Sequence, residues 1–256
     1  MPDARPPSPD ARPPSPDARP PSPDARPPLR GCFVTGTDTG VGKSVLSAAI
    51  TAALLAAGTP VRAFKPILTG LEEAADPVWP RDHELLATVT GADPADVVLA
   101  TYGPPVSPHL AAELSGRPID LAAIGSDLSA AAAADPDAAM IVEGVGGLLV
   151  PLGPGSDVRD LARLTGLPLV VAARPGLGTI NHTLLTLAAA RTAGLDVRGV
   201  VLTPWPADPD RIALSNRETI AALAAIEVQT LGLVPGPEPA ALAAAAAHLP
   251  LSRWLA

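Results

Sequence analysis

The sequence predicts an α/β fold: a doubly wound, mostly parallel sheet flanked by helices. Three observations carry this. Strand-like and helix-like segments alternate from residue 31 onward, the pattern of a parallel sheet with crossover helices. The strand-like segments are continuous apolar runs, as expected of strands covered on both faces. The first of them meets a glycine-rich loop that opens directly into a helix-forming run.

The elements follow in order. G-C-F-V-T-G from Gly31 is a short buried strand ending in a turn. Ser44 to Ala57 is a run of helix formers closed by Gly58, a residue suited to the left-handed position after a helix. V-R-A-F-K-P is the second strand, and M-I-V-E-G, P-L-V-V-A-A, R-G-V-V-L-T and L-G-L-V-P read as further strands. Asp157–Leu164, Ile180–Ala193 and Asp208–Ala224 read as helices, and Ser107–Ile119 as a loop with a short helix.

Residues 2 to 29 stand apart. P-D-A-R-P-P-S occurs three times, and a fourth copy ends in Leu29. Proline at this density blocks helices and ladders and leaves little to bury, so residues 1–29 are expected to be a disordered, polyproline-biased tail. One globular domain is expected over residues 30–256, with no internal boundary.

The chain has 256 residues and a formal charge of −8. An acidic chain is a poor candidate for nucleic acid or for anionic membranes, and aromatics at 2% leave few platforms for stacking bases. No run of about eighteen strongly apolar residues predicts a membrane span, and no apolar segment near the N-terminus reads as a secretory signal. The single cysteine, Cys32, sits in an apolar run, which fits a buried thiol in a reducing, cytoplasmic setting.

The chemistry begins at G-T-D-T-G-V-G-K-S, Gly36 to Ser44. Strand, glycine loop and helix in that order form a phosphate cradle: loop amides face the oxygens and the helix adds its positive end. The spacing departs from the usual G-x-x-x-x-G-K-[ST], because five residues separate Gly36 from Gly42. The nucleotide-binding set is Thr37, Asp38, Thr39, Gly40, Val41, Gly42, Lys43 and Ser44. Lys43 is expected to neutralise the outer phosphates and Ser44 to ligate Mg²⁺. The partitioning-type ATPases, the competing reading, carry an early lysine in K-G-G-x-G-K-[ST]. Here the residue five before Lys43 is Asp38, which cannot supply that cation.

Further segments align with this loop: A-F-K-P-I-L-T-G with Lys65, R-D-H-E-L-L with Asp82, I-V-E-G-V-G-G with Glu143, and G-L-G-T-I-N-H with Asn181 and His182. Together they resemble dethiobiotin synthetase, a P-loop ATP-dependent cyclo-ligase of biotin biosynthesis. The resemblance runs from about Gly31 through Thr203, and more weakly to Pro237.

That resemblance implies 7,8-diaminononanoate, CO₂ and ATP as substrates and Mg²⁺ as cofactor. It implies a carbamate, a carbamic–phosphoric anhydride and a ring closure that releases phosphate. Lys43, Lys65 and Thr39 become the catalytic residues; two lysines between two anions are physically sensible. Ser44, Asp82 and Glu143 become an all-oxygen Mg²⁺ site. Thr39, Lys65 and Thr69 face the carbamate. Gly178, Thr179, Ile180 and Asn181 take the distal carboxylate across a homodimer, at a helix N-terminus rich in free N–H groups. Thr203, Pro204 and Pro235 flank the base. The sequence departs from the pattern in two places: Gly40 replaces a glutamate found in some members, and T-P-W-P replaces the Asn-Asp pair that reads adenine.

Overall fold

A computed structural model of the protein describes residues 29–74 and 76–255. The tail expected over residues 1–29 lies outside them, apart from Leu29. The strands are β1 (Gly31–Gly36), β2 (Val61–Phe64), β3 (Ile67–Leu68), β4 (Ala100–Thr101), β5 (Ala139–Glu143), β6 (Pro151–Gly153), β7 (Ser156–Asp157), β8 (Leu169–Ala173), β9 (Val197–Trp205) and β10 (Val228–Gly232). The helices are α1 (Lys43–Ala56), α2 (Asp82–Thr90), α3 (Pro94–Val97), α4 (Pro108–Ser115), α5 (Leu121–Ala134), α6 (Val158–Thr165), α7 (Thr179–Thr192), α8 (Arg211–Ala224), α9 (Pro239–Ala246) and α10 (Leu251–Trp254).

Six strands form one sheet in the order β10-β9-β8-β1-β5-β2. Every pairing in it is parallel. The apolar strands now have a reason. Side chains alternate between faces, and both faces are buried. Cys32 and Val34 of β1 pack with α1, α2 and α9. Phe33, between them, packs with Ile124 and Leu128 of α5 and Leu161 of α6. On the same side, farther along the sheet, Val171 and Val200 meet Leu187 of α7 and Ile220 of α8. Burial also pushes the Cys32 thiol up to about 12, so it is an inert apolar side chain.

Helix starts follow local chemistry. Asp210 accepts the Ala213 amide at 2.7 Å and caps α8, so this helix begins at Arg211 rather than Asp208. Gly178, at φ 90°, caps α7 and lets it begin one residue before Ile180. The last strand is displaced from the expected L-G-L-V-P. It runs over Val228–Gly232 and leaves Leu233 and Pro235 exposed. As an edge strand it pairs only with β9, so Gln229 and Thr230 are tolerated there and the run is not continuously apolar.

Because all six strands are parallel, their C-terminal ends share one edge. The phosphate loop after β1, Lys65 after β2, Glu143 at the end of β5, Arg174 after β8 and Thr203 near the end of β9 all lie along it. Ligands in such sheets bind there.

Candidate active site

The loop between β1 and α1 is built from glycine and free amides. Gly40 and Gly42 take φ values of 69° and 88°, which disfavour other residues. Gly36 could not carry a side chain, because a Cβ there would lie 2.7 Å from Val41 Cγ2. Thr37 N–H is spent on the Ala172 carbonyl, 3.0 Å away, and Thr39 N–H on Asp38 Oδ1 at 2.7 Å. Among the described residues the amides of Gly40 through Ser44 have no acceptor. Five unpaired donors at a helix N-terminus are an anion site. Val41 is the loop's buried anchor.

Lys43 is buried and its Nζ donates to the Asp38 carbonyl at 2.9 Å. Burial, then the neighbouring Lys65 ammonium, lowers its pKa to about 8, against the pull of Glu143, Asp82 and Asp38. Lys65 follows β2 directly, held extended by Pro66 and by its own N–H on the Val97 carbonyl at 2.9 Å. Its ammonium lies 2.6 Å from Glu143 Oε1, 2.7 Å from Asp82 Oδ2 and 3.1 Å from the Gly144 carbonyl. Burial alone would lower the Lys65 pKa, but the two carboxylates outweigh it and hold the ammonium charged.

Asp82 opens α2. Glu84 accepts the Arg81 N–H at 3.0 Å, and the Arg81 guanidinium donates to the carbonyls of Leu71 and Glu73. This fixes the start of the helix, where a carboxylate also gains from the dipole. Burial raises the Asp82 pKa, but Lys65, Ser44 and Lys43 bring it down to about 2. Glu143 ends β5 opposite Val34 of β1. Burial pushes its pKa up, and Lys65 only partly offsets this. Ser44 Oγ lies 2.6 Å from Asp82 Oδ1 and 2.9 Å from Glu143 Oε1. Glu143 Oε2 is buried with no hydrogen-bond partner. Converging oxygens from two carboxylates and a hydroxyl, one of them orphaned, suit a hard divalent cation.

Direct contacts therefore join Ser44, Lys65, Asp82 and Glu143 into one cluster, and Lys43, held by the Asp38 carbonyl, lies close enough to feel its charges. The glycine turn after Glu143 packs on the phosphate loop, since a Cβ on Gly146 would lie 3.7 Å from Thr39 Oγ1. Thr203 is buried, and its Cγ2 would sit 3.0 Å from a Cβ on Gly42; Pro204 and Pro235 are exposed. No hydrogen bond or ion pair among the described residues ties Thr69, Pro235 or the Gly178–Asn181 turn to the cluster.

Two residues that the sequence reading passed over stand out. Arg174 follows β8 and its guanidinium reaches Asp38 Oδ2 at 3.0 Å. Its place at a strand's C-terminal end was the available signal. Asn216 is a lone amide in the buried row Ala213, Asn216, Ile220, Ala224 of α8, and a polar residue in apolar phase is the signal that marks it.

A family model described as an AAA domain matches residues 30–239. The ATP-dependent dethiobiotin synthetase BioD of Anaeromyxobacter sp. (strain K) is 43% identical over 206 residues, covering 76% of this chain and 90% of that protein. The chain belongs to the dethiobiotin synthetase family. The synthetase of the same name from Novosphingobium aromaticivorans is 41% identical, covering 79% of this chain and 86% of its own length. That of Rhodococcus erythropolis (strain PR4) is 37% identical, with the same coverages of 79% and 86%. The repeat before residue 30 lies outside the family match. No helix among the described residues is long and apolar enough to cross a membrane.

Proposed function

We propose that this chain converts 7,8-diaminononanoate, CO₂ and ATP into dethiobiotin, ADP and phosphate. One amine attacks CO₂ and loses a proton, giving a carbamate. A carbamate oxygen attacks the γ-phosphorus and ADP leaves. The second amine then attacks the carbonyl carbon, the cyclic urea closes and phosphate departs.

The observation that carries this reading is the Lys65 ammonium, buried at the C-terminal edge between Asp82 and Glu143 and beside the phosphate loop. Two anions must be brought together in this reaction, and a preorganised charge there lowers the barrier where it develops. Lys43 and the free amides of Gly40 to Ser44 hold the triphosphate. Lys65, with Thr39 and Thr69, orients the carbamate toward it. Ser44, Asp82 and Glu143 hold Mg²⁺, which supplies charge neutralisation to the phosphates when bound. Thr203, Pro204 and Pro235 border the base.

The turn Gly178–Asn181 takes the substrate carboxylate across a homodimer. It offers backbone donors at the start of α7, with Leu177 97% exposed beside it. The lone buried thiol fits a reducing compartment, and we place the enzyme in the cytoplasm. Residues 1–29 are dispensable for turnover by the domain that follows. The partitioning-switch reading is not favoured: Asp38 pairs with Arg174 and offers no cation to a second nucleotide.

The test is direct. Protein, 7,8-diaminononanoate, labelled bicarbonate, Mg²⁺ and ATP should yield labelled dethiobiotin and one ADP per ring. ATP hydrolysis without label entering the urea carbon would overturn the reading.

A further inference from the structure

An asparagine in the buried row of a helix is costly unless its amide is satisfied. Asn216 is 7% exposed. Its Nδ2 donates to the Pro175 carbonyl at 2.9 Å and to the Gly176 carbonyl at 3.1 Å. One side chain thus spends both amide hydrogens on two consecutive carbonyls of the turn before α7. In a planar trans peptide, C=O and the following N–H point opposite ways. Drawing the Pro175 and Gly176 carbonyls onto α8 therefore turns the amides of Gly176 and Leu177 away from it. Thr179 N–H bonds the Gly176 carbonyl at 3.3 Å, and His182 N–H the Gly178 carbonyl at 3.1 Å. The amides of Gly176, Leu177, Gly178, Ile180 and Asn181 have no acceptor among the described residues.

We infer that Asn216 is a positioning residue: from α8 it aims the free amides of the Gly176–Asn181 turn at the carboxylate of the substrate. This rests on the proposal that the turn takes that carboxylate. It adds a residue that touches no substrate and sets carboxylate recognition from behind. The Arg174–Asp38 pair tethers the other side of the turn, but between half-exposed groups such a pair contributes little. The buried amide is the stronger constraint.

The experiment compares 7,8-diaminononanoate with 7,8-diaminononane, which lacks the carboxylate, by calorimetry on the full chain. Wild type should bind the acid more tightly. Asn216→Leu, similar in size and a better helix former, should shrink that preference by about tenfold or more, the scale of a charge-assisted hydrogen bond. The KM for the diamino acid should rise, while the KM for ATP and the kcat at saturation hold. An undiminished preference, or KM values for acid and ATP rising together, overturns the inference. Absence of any preference in wild type overturns the reading of the turn itself. Should Asn216→Leu not fold, hydrogen exchange on wild type decides: the acid, and not the diamine, should slow exchange at residues 176–181, and equal protection by both sinks the idea.

Discussion

Along one sheet edge, two regions solve recognition by opposite means. At the β1–β5–β2 side, Lys65 directly contacts Asp82 and Glu143, with Lys43 near enough to feel all three charges; Lys43, Lys65 and Glu143 are buried and the Asp82 side chain is 38% exposed. At the β8–β9 side, the turn before α7 and the Thr203 corner carry backbone amides, a methyl group and a single exposed ion pair. In the proposed reaction the first region handles charge that develops as bonds change. A low-dielectric cluster makes each charge count. In the same proposal the second only recognises groups that do not change, for which neutral donors suffice. Side-chain substitution should therefore damage the first region in turnover and the second in selectivity.

The sharpest way to break the contrast is Lys65→Met. Turnover should fall on the order of a hundredfold or more, the scale of removing one preorganised stabiliser. If kcat measured by labelled bicarbonate stays within about threefold, far below that scale, the charge cluster is not the reaction centre. Glu143→Gln comes next. It keeps the shape of β5 and removes one charge, and the Mg²⁺ concentration for half-maximal rate should rise by about tenfold or more, no less than changes around metal ligands usually cost. A half-saturation point that does not move would remove Glu143 from the ion's shell.

Selectivity tests the other region. Thr203 offers one rotating hydroxyl where an amide would offer a matched donor and acceptor. Wild type should prefer ATP over CTP or GTP by less than about a hundredfold in kcat/KM, a weak ratio for a base-reading site. Thr203→Asn should raise the ATP preference by roughly tenfold, the worth of about one hydrogen bond. A wild-type ratio above a hundredfold would show that something else reads the base.

The same contrast explains what the sequence disclosed. Lys43 and Ser44 were legible from the glycine loop between β1 and α1, and Lys65, Asp82 and Glu143 from segments that resemble the synthetase family; Lys65 and Glu143 also stand at strand ends, whereas Asp82 opens α2 fourteen residues after β3. Asn216 acts from another element, α8, and only the packing of α8 on the turn shows which carbonyls it meets. The central strands were readable because burial on both faces makes them continuous. The edge strand β10 was not, since Gln229 and Thr230 are only half-buried. Helices α5 and α9 escaped because alanine-rich runs such as Leu121–Ala134 have a composition that fits a helix without marking its buried side.

The smallest expected effect separates a charged centre that is merely present from one that responds to its ligand. Lys43 titrates near 8 because burial, and then Lys65, work against its proton. At that pH roughly half of the free protein lacks the Lys43 ammonium. A bound triphosphate favours the charged form, so binding must take up protons, by roughly half a proton per site at pH 8 and increasingly from about pH 7 to about pH 9. Calorimetry of ATP binding in two buffers of different ionisation enthalpy measures this directly. Lys43→Arg keeps a cation that does not titrate, and its uptake should vanish while binding persists. The sign on folding is fixed by the same shift. A lysine whose pKa falls from 10.5 to about 8 is protonated more fully in the unfolded chain, so its contribution makes the nucleotide-free protein gain stability as pH rises through that window. Lys65, shifted upward, acts the other way: its contribution is complete below its unfolded value and lost only above its folded one. Proton release on nucleotide binding at pH 8 would reverse the sign required here and detach Lys43 from the phosphates.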